Sequence, residues 1–228
     1  MPEATPSNST IFDQREREAV YRVIAERRDM RHFKPDSTIA PDVLLRMLGA
    51  AHQAPSVGLM QPWRFIRISD TALRGAIADL VEQERLLTAK ALGGRQDEFL
   101  SLKVEGVREC AELFVVALAP DDGTVFGRRT MPREMAVSSV ACAIQNLWLA
   151  SRAENLGLGW VSMFEPAELG ALLKLPEGSQ ALAILCLGPV DSFYIQPMLR
   201  EEHWRDAVSL DTLCFDNHWP DQPRDKVD

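Results

Sequence analysis

The sequence predicts an α+β domain, a mixed sheet wrapped in helices, and three observations carry this. Short β-rich apolar runs alternate with longer segments of helical periodicity, but not in a regular β-α-β order. Neither G-x-G-x-x-G nor G-x-x-x-x-G-K-[ST] occurs, so a Rossmann-type or P-loop nucleotide site has no support. One long segment, Met135 to Leu156, is rich in alanine and apolar on most faces, which suits a helix buried inside a domain or a dimer.

The elements follow in chain order. Residues 1–13 read as a flexible arm. Gln14 to Arg27 places Ala19, Val20, Val23 and Ile24 at helical spacing. Pro41 to Gln53 is a second helix, with proline in the first turn and Val43, Leu44, Met47 and Leu48 on one face. Ala54 to Pro62 is a loop, and Trp63 to Ser69 alternates as a strand. Leu73 to Leu92 is helical, Gly93 and Gly94 interrupt it, and Phe99 to Glu112 resumes a helix. Leu113 to Ala119 is a buried strand. The long helix ends at Gly157, Trp160 to Met163 is a short strand, Pro166 to Leu173 a short helix, and Ala181 to Leu187 a third buried strand. The whole reads as one domain over residues 14–228, ending in a long tail from Asp191 that carries prolines and aromatics.

The bulk chemistry narrows the function. With 228 residues, 46% hydrophobic and 25% charged, the chain has the balance of a globular protein. A net charge of -8 argues against a nucleic-acid surface, so an anionic ligand has to be held by local arginines. No apolar run is long enough for a bilayer, and the N-terminal stretch is polar, so neither a membrane partner nor a signal peptide is expected. The four cysteines are widely spaced and form no C-x-x-C pair, which reads as reduced thiols in the cytoplasm and no metal cluster.

Three segments could carry chemistry. Arg27-Arg28-Asp29-Met30-Arg31 crowds three guanidiniums into five residues, an arrangement suited to phosphate; the bland alternative is a solvated helix end. Ala54 to Trp63 contains Pro55, Ser56, Gly58 and Pro62, which fix an irregular backbone able to aim main-chain groups at a flat polar ring, or merely a rigid connection into the strand. Gly157-Leu158-Gly159-Trp160-Val161-Ser162 places two glycines where something approaches the backbone closely, or where a helix cap turns tightly. His32 and His52 flank these segments without ligand-type spacing and read as surface or packing histidines.

Together these segments resemble the flavin nitroreductases. That superfamily carries an R-R-S-x-R-like segment for the FMN phosphate, an A-P-S-x-x-N-x-Q-P-W-like loop along the flavin ring and a G-L-G segment near its reactive edge. Here the counterparts are R-R-D-M-R, A-P-S-V-G-L-M-Q-P-W and G-L-G-W-V-S, in the same order. Within the superfamily the chain is most similar to the 5,6-dimethylbenzimidazole synthases, on Asp29 in R-R-D, Leu59 in place of the loop asparagine, and Ser162 after G-W-V. Ser101 to Val107, Leu185 to Asp191 and Trp204-Arg205 match further segments of that family. Departures fall at Met135 and Val137, which replace an acidic and an aromatic residue, and in the 127–132 loop.

The resemblance implies a nitroreductase-like fold: a mainly antiparallel mixed sheet surrounded by helices, in an interlocked homodimer with FMN at the subunit interface and a lid around residues 80–110. It implies that reduced FMN is substrate as well as ligand. Dioxygen breaks the flavin ring down to 5,6-dimethylbenzimidazole, the lower ligand of cobalamin, and no metal is required. A separate flavin reductase would supply the reduced FMN. By position, Asp29 would be the acid/base and Ser162 would hydrogen-bond the flavin or its oxygen adduct. Arg27, Arg31 and Arg205 would hold the phosphate, with Arg28, Met30, Pro55, Ser56 and Gly58 along the cofactor and Arg95 and Val104 closing the lid. Two alternatives remain: a conventional NAD(P)H-dependent nitroreductase or flavin reductase, and a protein that only sequesters FMN.

Overall fold

Two strands of almost unbroken apolar sequence, β2 (Glu112–Leu118) and β4 (Gln180–Gly188), form the centre of the molecule; from Leu113 and Ala183 onward every residue of each is buried. Continuous apolar runs of this kind are what strands covered on both faces require. The computed structural model describes residues 11–124, 126–128 and 132–219. Residues 1–10 of the arm expected over residues 1–13, and Arg129 to Met131 of the divergent loop, lie outside them. The chain divides into two compact units, Met1–Phe193 and Tyr194–Asp228, so the tail assigned to a single 14–228 domain forms the second unit.

In the first unit, β1 (Trp63–Arg67), β2, β4 and β3 (Gly157–Val161) form a four-stranded sheet in the order β1-β2-β4-β3. All three pairings are antiparallel. A parallel bridge between Asp29 and Leu158 prolongs the sheet beyond its β3 edge. The core on one side collects Leu44, Met47 and Ala51 of α2 (Pro41–His52) with Val140, Ala143, Ile144 and Leu147 of the long helix α5 (Pro132–Ala153), against Phe114, Val116, Leu185 and Leu187. Asn146 Nδ2 donates to the carbonyl of Ala50 at 3.1 Å, tying the end of α2 to α5.

Helix α1 (Gln14–Glu26) starts with a capping box: Glu16 N donates to Asp13 Oδ1 at 2.9 Å and Asp13 N to Glu16 Oε2 at 2.7 Å. Its apolar stripe is not buried, for Val20 is 55% and Ile24 47% exposed. Helix α3 (Thr71–Leu92) is capped by Asp70, which accepts from Leu73 N, and it stops at Gly93, whose φ of 55° an L-residue rarely adopts.

Two expectations change here. The helix expected from Phe99 to Glu112 is only α4 (Gln96–Ser101), after which the chain runs without regular structure into β2. Tertiary contacts override helical spacing in that stretch. Gly106 lies so close to Phe33 and the Arg31 carbonyl that a Cβ there would sit 2.6 and 2.8 Å from them, and Arg74 and Arg108 reach from α3 or toward it, to the Cys110 carbonyl and Asp79. The second change is at the end of α5. Asn155, with φ 58°, makes the left-handed turn assigned to Gly157, and both glycines belong to β3 itself. The remaining short helix of the first unit is α6 (Pro166–Leu172), and the second unit contains α7 (Met198–Glu201).

Candidate functional site

The R-R-D-M-R segment leaves the end of α1 in an extended conformation, Arg27 having φ -60° and ψ 135°, and lies along β3. Met30 N donates to the Leu158 carbonyl at 3.0 Å. Gly157 and Gly159 make this possible: a Cβ on Gly157 would stand 2.6 Å from Val190 and 3.2 Å from Met30, and one on Gly159 only 2.1 Å from the Met30 carbonyl oxygen. The close approach that the paired glycines foretell is therefore to the protein's own arginine segment.

Asp29 is the centre of the contact. Its Oδ1 accepts from Arg31 Nη1 at 2.5 Å and from the Trp160 amide at 2.9 Å, and its Oδ2 accepts from Arg31 Nη2 at 2.6 Å. Arg31 is 7% exposed, and its terminal nitrogens also reach the carbonyls of Met30 at 3.1 Å and Trp160 at 3.0 Å. A bidentate guanidinium–carboxylate pair of this kind is directional and strong. The guanidinium of Arg31, expected to face a phosphate, is thus buried and bonded to Asp29. Asp29 itself keeps a 41% exposed side chain, and three bonds leave about one of a carboxylate's roughly four acceptor positions open. Met30 is completely buried, so its side chain packs against β3 instead of lining a surface site.

Arg27 and Arg28 are half-buried. The Arg27 guanidinium lies 4.5 Å from the centre of the Trp148 ring. Arg28 Nη1 donates to the carbonyls of Ala25 and Arg27, both at 2.8 Å. The neighbouring Glu26 carboxyl is held below its usual range, first by the hydrogen bond from Arg22 and then by the charges of Arg22 and Arg152. Ser162 is exposed on the residue that follows β3.

The A-P-S loop is held by its own side chain and by α5. Ser56 Oγ accepts from Gln61 N at 3.1 Å, and Val57 N donates to Ser139 Oγ at 3.3 Å. Gly58, Leu59 and Gln61 all have positive φ, of 57°, 56° and 43°. Two of them are not glycine, so the loop stores strain, which persists where the surroundings fix the conformation for a purpose. Leu59 is 77% exposed at its tip, and Pro55 and Gly58 are exposed as well. His52, next to this loop, is a packing histidine whose Nδ1 lies 3.4 Å from Trp63 Nε1.

The lid residues are divided. Val104 is half-buried two positions before Gly106, the glycine that packs on Arg31 and Phe33. Arg95 pairs with Glu98 at 2.7 and 2.8 Å at the head of α4. Arg205 is an exposed residue of the second unit. Cys110, at the end of the lid segment, and Cys186 are buried side by side; the hydrogen bond that the Cys186 thiol donates to Cys110, and then burial, push the Cys186 thiol well above its ordinary value. Sequence reasoning missed Trp148, Ser139 and Gly106 as parts of this arrangement. Only the tryptophan, the one aromatic side chain of α5, gave a signal that could have found it. Among the described residues no group of three metal-binding side chains occurs, and no helix is long and apolar enough to cross a membrane.

A sequence profile of the Nitroreductase family matches residues 24–189. The chain is 40% identical over 199 residues to a 5,6-dimethylbenzimidazole synthase of Rhodospirillum rubrum, covering 86% of this chain and 93% of the relative. It is 37% identical over 200 residues to the protein of that name from Rhodobacter capsulatus, covering 86% and 96%. Among solved structures it is similar to an oxidized iodotyrosine deiodinase bound to FMN and 3-iodo-L-tyrosine, with a TM-score of 0.65 at 24% identity, covering 84% and 97%.

Proposed function

Since the chain belongs to the nitroreductase family, we propose that it is an oxidoreductase that fragments reduced FMN with dioxygen to 5,6-dimethylbenzimidazole. The observation that carries the reading is the R-R-D clamp, Asp29 fixed by Arg31 and the Trp160 amide on the G-L-G strand, with Arg27 and Arg28 directly before it. It is supported by two relatives of that activity matched over nearly their whole length. A solved relative of the same fold that binds FMN agrees with it.

The residues fit the group. Two half-buried arginines in succession on a chain of net charge -8 form a donor set for a phosphomonoester. We assign the phosphate to Arg27 and Arg28, and the ring to the strained 55–61 loop, with Arg95 and Val104 closing over it. Reduced FMN, when bound, supplies both the electrons that activate dioxygen and the ring that becomes product. Asp29 accepts a proton at its carboxylate, Arg31 keeps that carboxylate in place, and the Ser162 hydroxyl donates a hydrogen bond. A homodimer belongs to the same proposal, supported by the apolar stripe of α1 that the single chain leaves in water. So do a cytoplasmic location, in keeping with four free thiols, and a separate flavin reductase as the source of reduced FMN.

The test is to mix the protein with reduced FMN in air and identify the products by mass. 5,6-Dimethylbenzimidazole is the expected product. Nitroaromatic reduction at the expense of NAD(P)H without any benzimidazole would make it a conventional nitroreductase, and FMN that is bound but unaltered would make it a flavin store.

A further inference from the structure

We propose that Trp148 is a positioning residue that pre-arranges the phosphate-binding arginines and so sets the preference for a phosphorylated flavin, an assignment that rests on the FMN reading above. Trp148 lies on α5, 9% exposed. The Arg27 guanidinium stacks on its ring at 4.5 Å. Its Nε1–H donates to the Arg28 carbonyl at 3.1 Å. Its ring centre lies 6.3 Å from that of Trp160, whose amide donates to Asp29. One turn further along α5, Arg152 donates to the Glu26 carbonyl at 3.3 Å and to Glu26 Oε2 at 2.7 Å. Four consecutive residues, Glu26 to Asp29, are thus held by α5 and β3, and Trp148 contacts two of them.

The physical reason for such a device is that α1 has ended. Arg27 is its C-cap, with its N–H still bonded to the Val23 carbonyl, and Arg28 lies beyond, so helix packing does not fix the direction of either guanidinium. A free arginine loses rotamer entropy on being immobilised. An indole face that already holds the guanidinium removes part of that cost before the ligand arrives. Stacking occupies the face of the guanidinium and leaves its in-plane N–H groups for phosphate oxygens. Trp148 is placed to strengthen binding of the phosphate without touching the flavin.

The test measures the affinities of the full chain for FMN and for riboflavin by quenching of flavin fluorescence and reads their ratio. Trp148→Leu should weaken FMN binding about tenfold and leave riboflavin binding unchanged. Trp148→Phe keeps a ring under Arg27, loses the N–H and should cost about threefold in the same ratio; it also guards against a Leu variant that folds poorly. In an Arg27→Gln background, Trp148→Leu should change the ratio by less than about twofold, because the stacked partner is gone. An unchanged ratio in both single variants overturns the proposal. So does a parallel fall in both affinities, which marks a merely structural tryptophan. A wild type that binds neither flavin overturns the FMN reading and this inference with it.

Discussion

Replacing Gly159 with alanine tests the physical basis of the site. The new Cβ would lie 2.1 Å from the Met30 carbonyl oxygen and 2.7 Å from Arg31 Nη1. The closest tolerable carbon–oxygen contacts are about 3.3 Å, so the two segments must part by roughly 1.2 Å. Four hydrogen bonds cross this contact or depend on it: Met30 N to Leu158 O at 3.0 Å, the Trp160 amide to Asp29 Oδ1 at 2.9 Å, Arg31 Nη2 to Trp160 O at 3.0 Å and Arg31 Nη1 to Met30 O at 3.1 Å. Lengthened by that amount, the three that span the two segments no longer meet hydrogen-bond geometry. Two of these involve a charged group, worth about 1.5–3 kcal/mol each, and one is neutral, worth about 1 kcal/mol. Partial relaxation will save some of them, and the expected loss is about 3–5 kcal/mol, a large share of a typical domain's stability. Urea unfolding measures it, with Gly94→Ala as control, since nothing lies within 4 Å of a Cβ there and the change should stay within about 0.5 kcal/mol. A Gly159→Ala protein as stable as wild type, with FMN affinity intact, would refute the reasoning.

Three further outcomes follow from the same geometry. Asp29→Asn should retain FMN binding, lose roughly 10²–10⁴-fold in 5,6-dimethylbenzimidazole formation and be destabilised by about 1–3 kcal/mol, because buried Arg31 loses its counter-charge while Asp29 is only partly withdrawn from water; a variant equal to wild type in stability and turnover removes both roles from Asp29. Light scattering should give twice the chain mass of 25.5 kDa, and Val20→Asp with Ile24→Asp in α1 should shift it toward the monomer; a wild-type monomer with FMN bound contradicts the dimer. A thiol reagent should label exposed Cys214 in the native protein and spare Cys110 and Cys186, which are 3% and 0% exposed, until the chain is unfolded; labelling of either at the rate of Cys214 contradicts the buried pair.

What the sequence made legible was whatever local chemistry decides. The capped helices and the strands β2 and β4 have their boundaries within one or two residues of the expected ones, because proline, the Asp13 and Asp70 caps and long apolar runs act over a few positions. The segment after α4 was illegible, since its path is set by Gly106 packing on Phe33 and Arg31, some seventy residues earlier in the chain. The paired glycines of β3 read correctly as a place of close approach but wrongly as a turn. Their partner, Met30, is distant in sequence, and a non-glycine residue, Asn155, adopts the positive φ instead. The pairing of Asp29 with Arg31 was not legible, because a charge cluster does not say which guanidinium faces inward, and Arg31 is buried against Trp160, a residue distant in sequence. Trp148 escaped because its two partners, Arg27 and the Arg28 carbonyl, are about 120 residues away in the chain.

The most direct test of the central claim, that this protein consumes flavin instead of cycling it, is a single exposure of stoichiometric, reduced FMN–protein complex to air. Flavin absorbance and benzimidazole are followed together. The account predicts that the oxidised-flavin absorbance does not fully return and that each flavin lost appears as one molecule of 5,6-dimethylbenzimidazole. Complete recovery of oxidised FMN, with no benzimidazole formed, would contradict it.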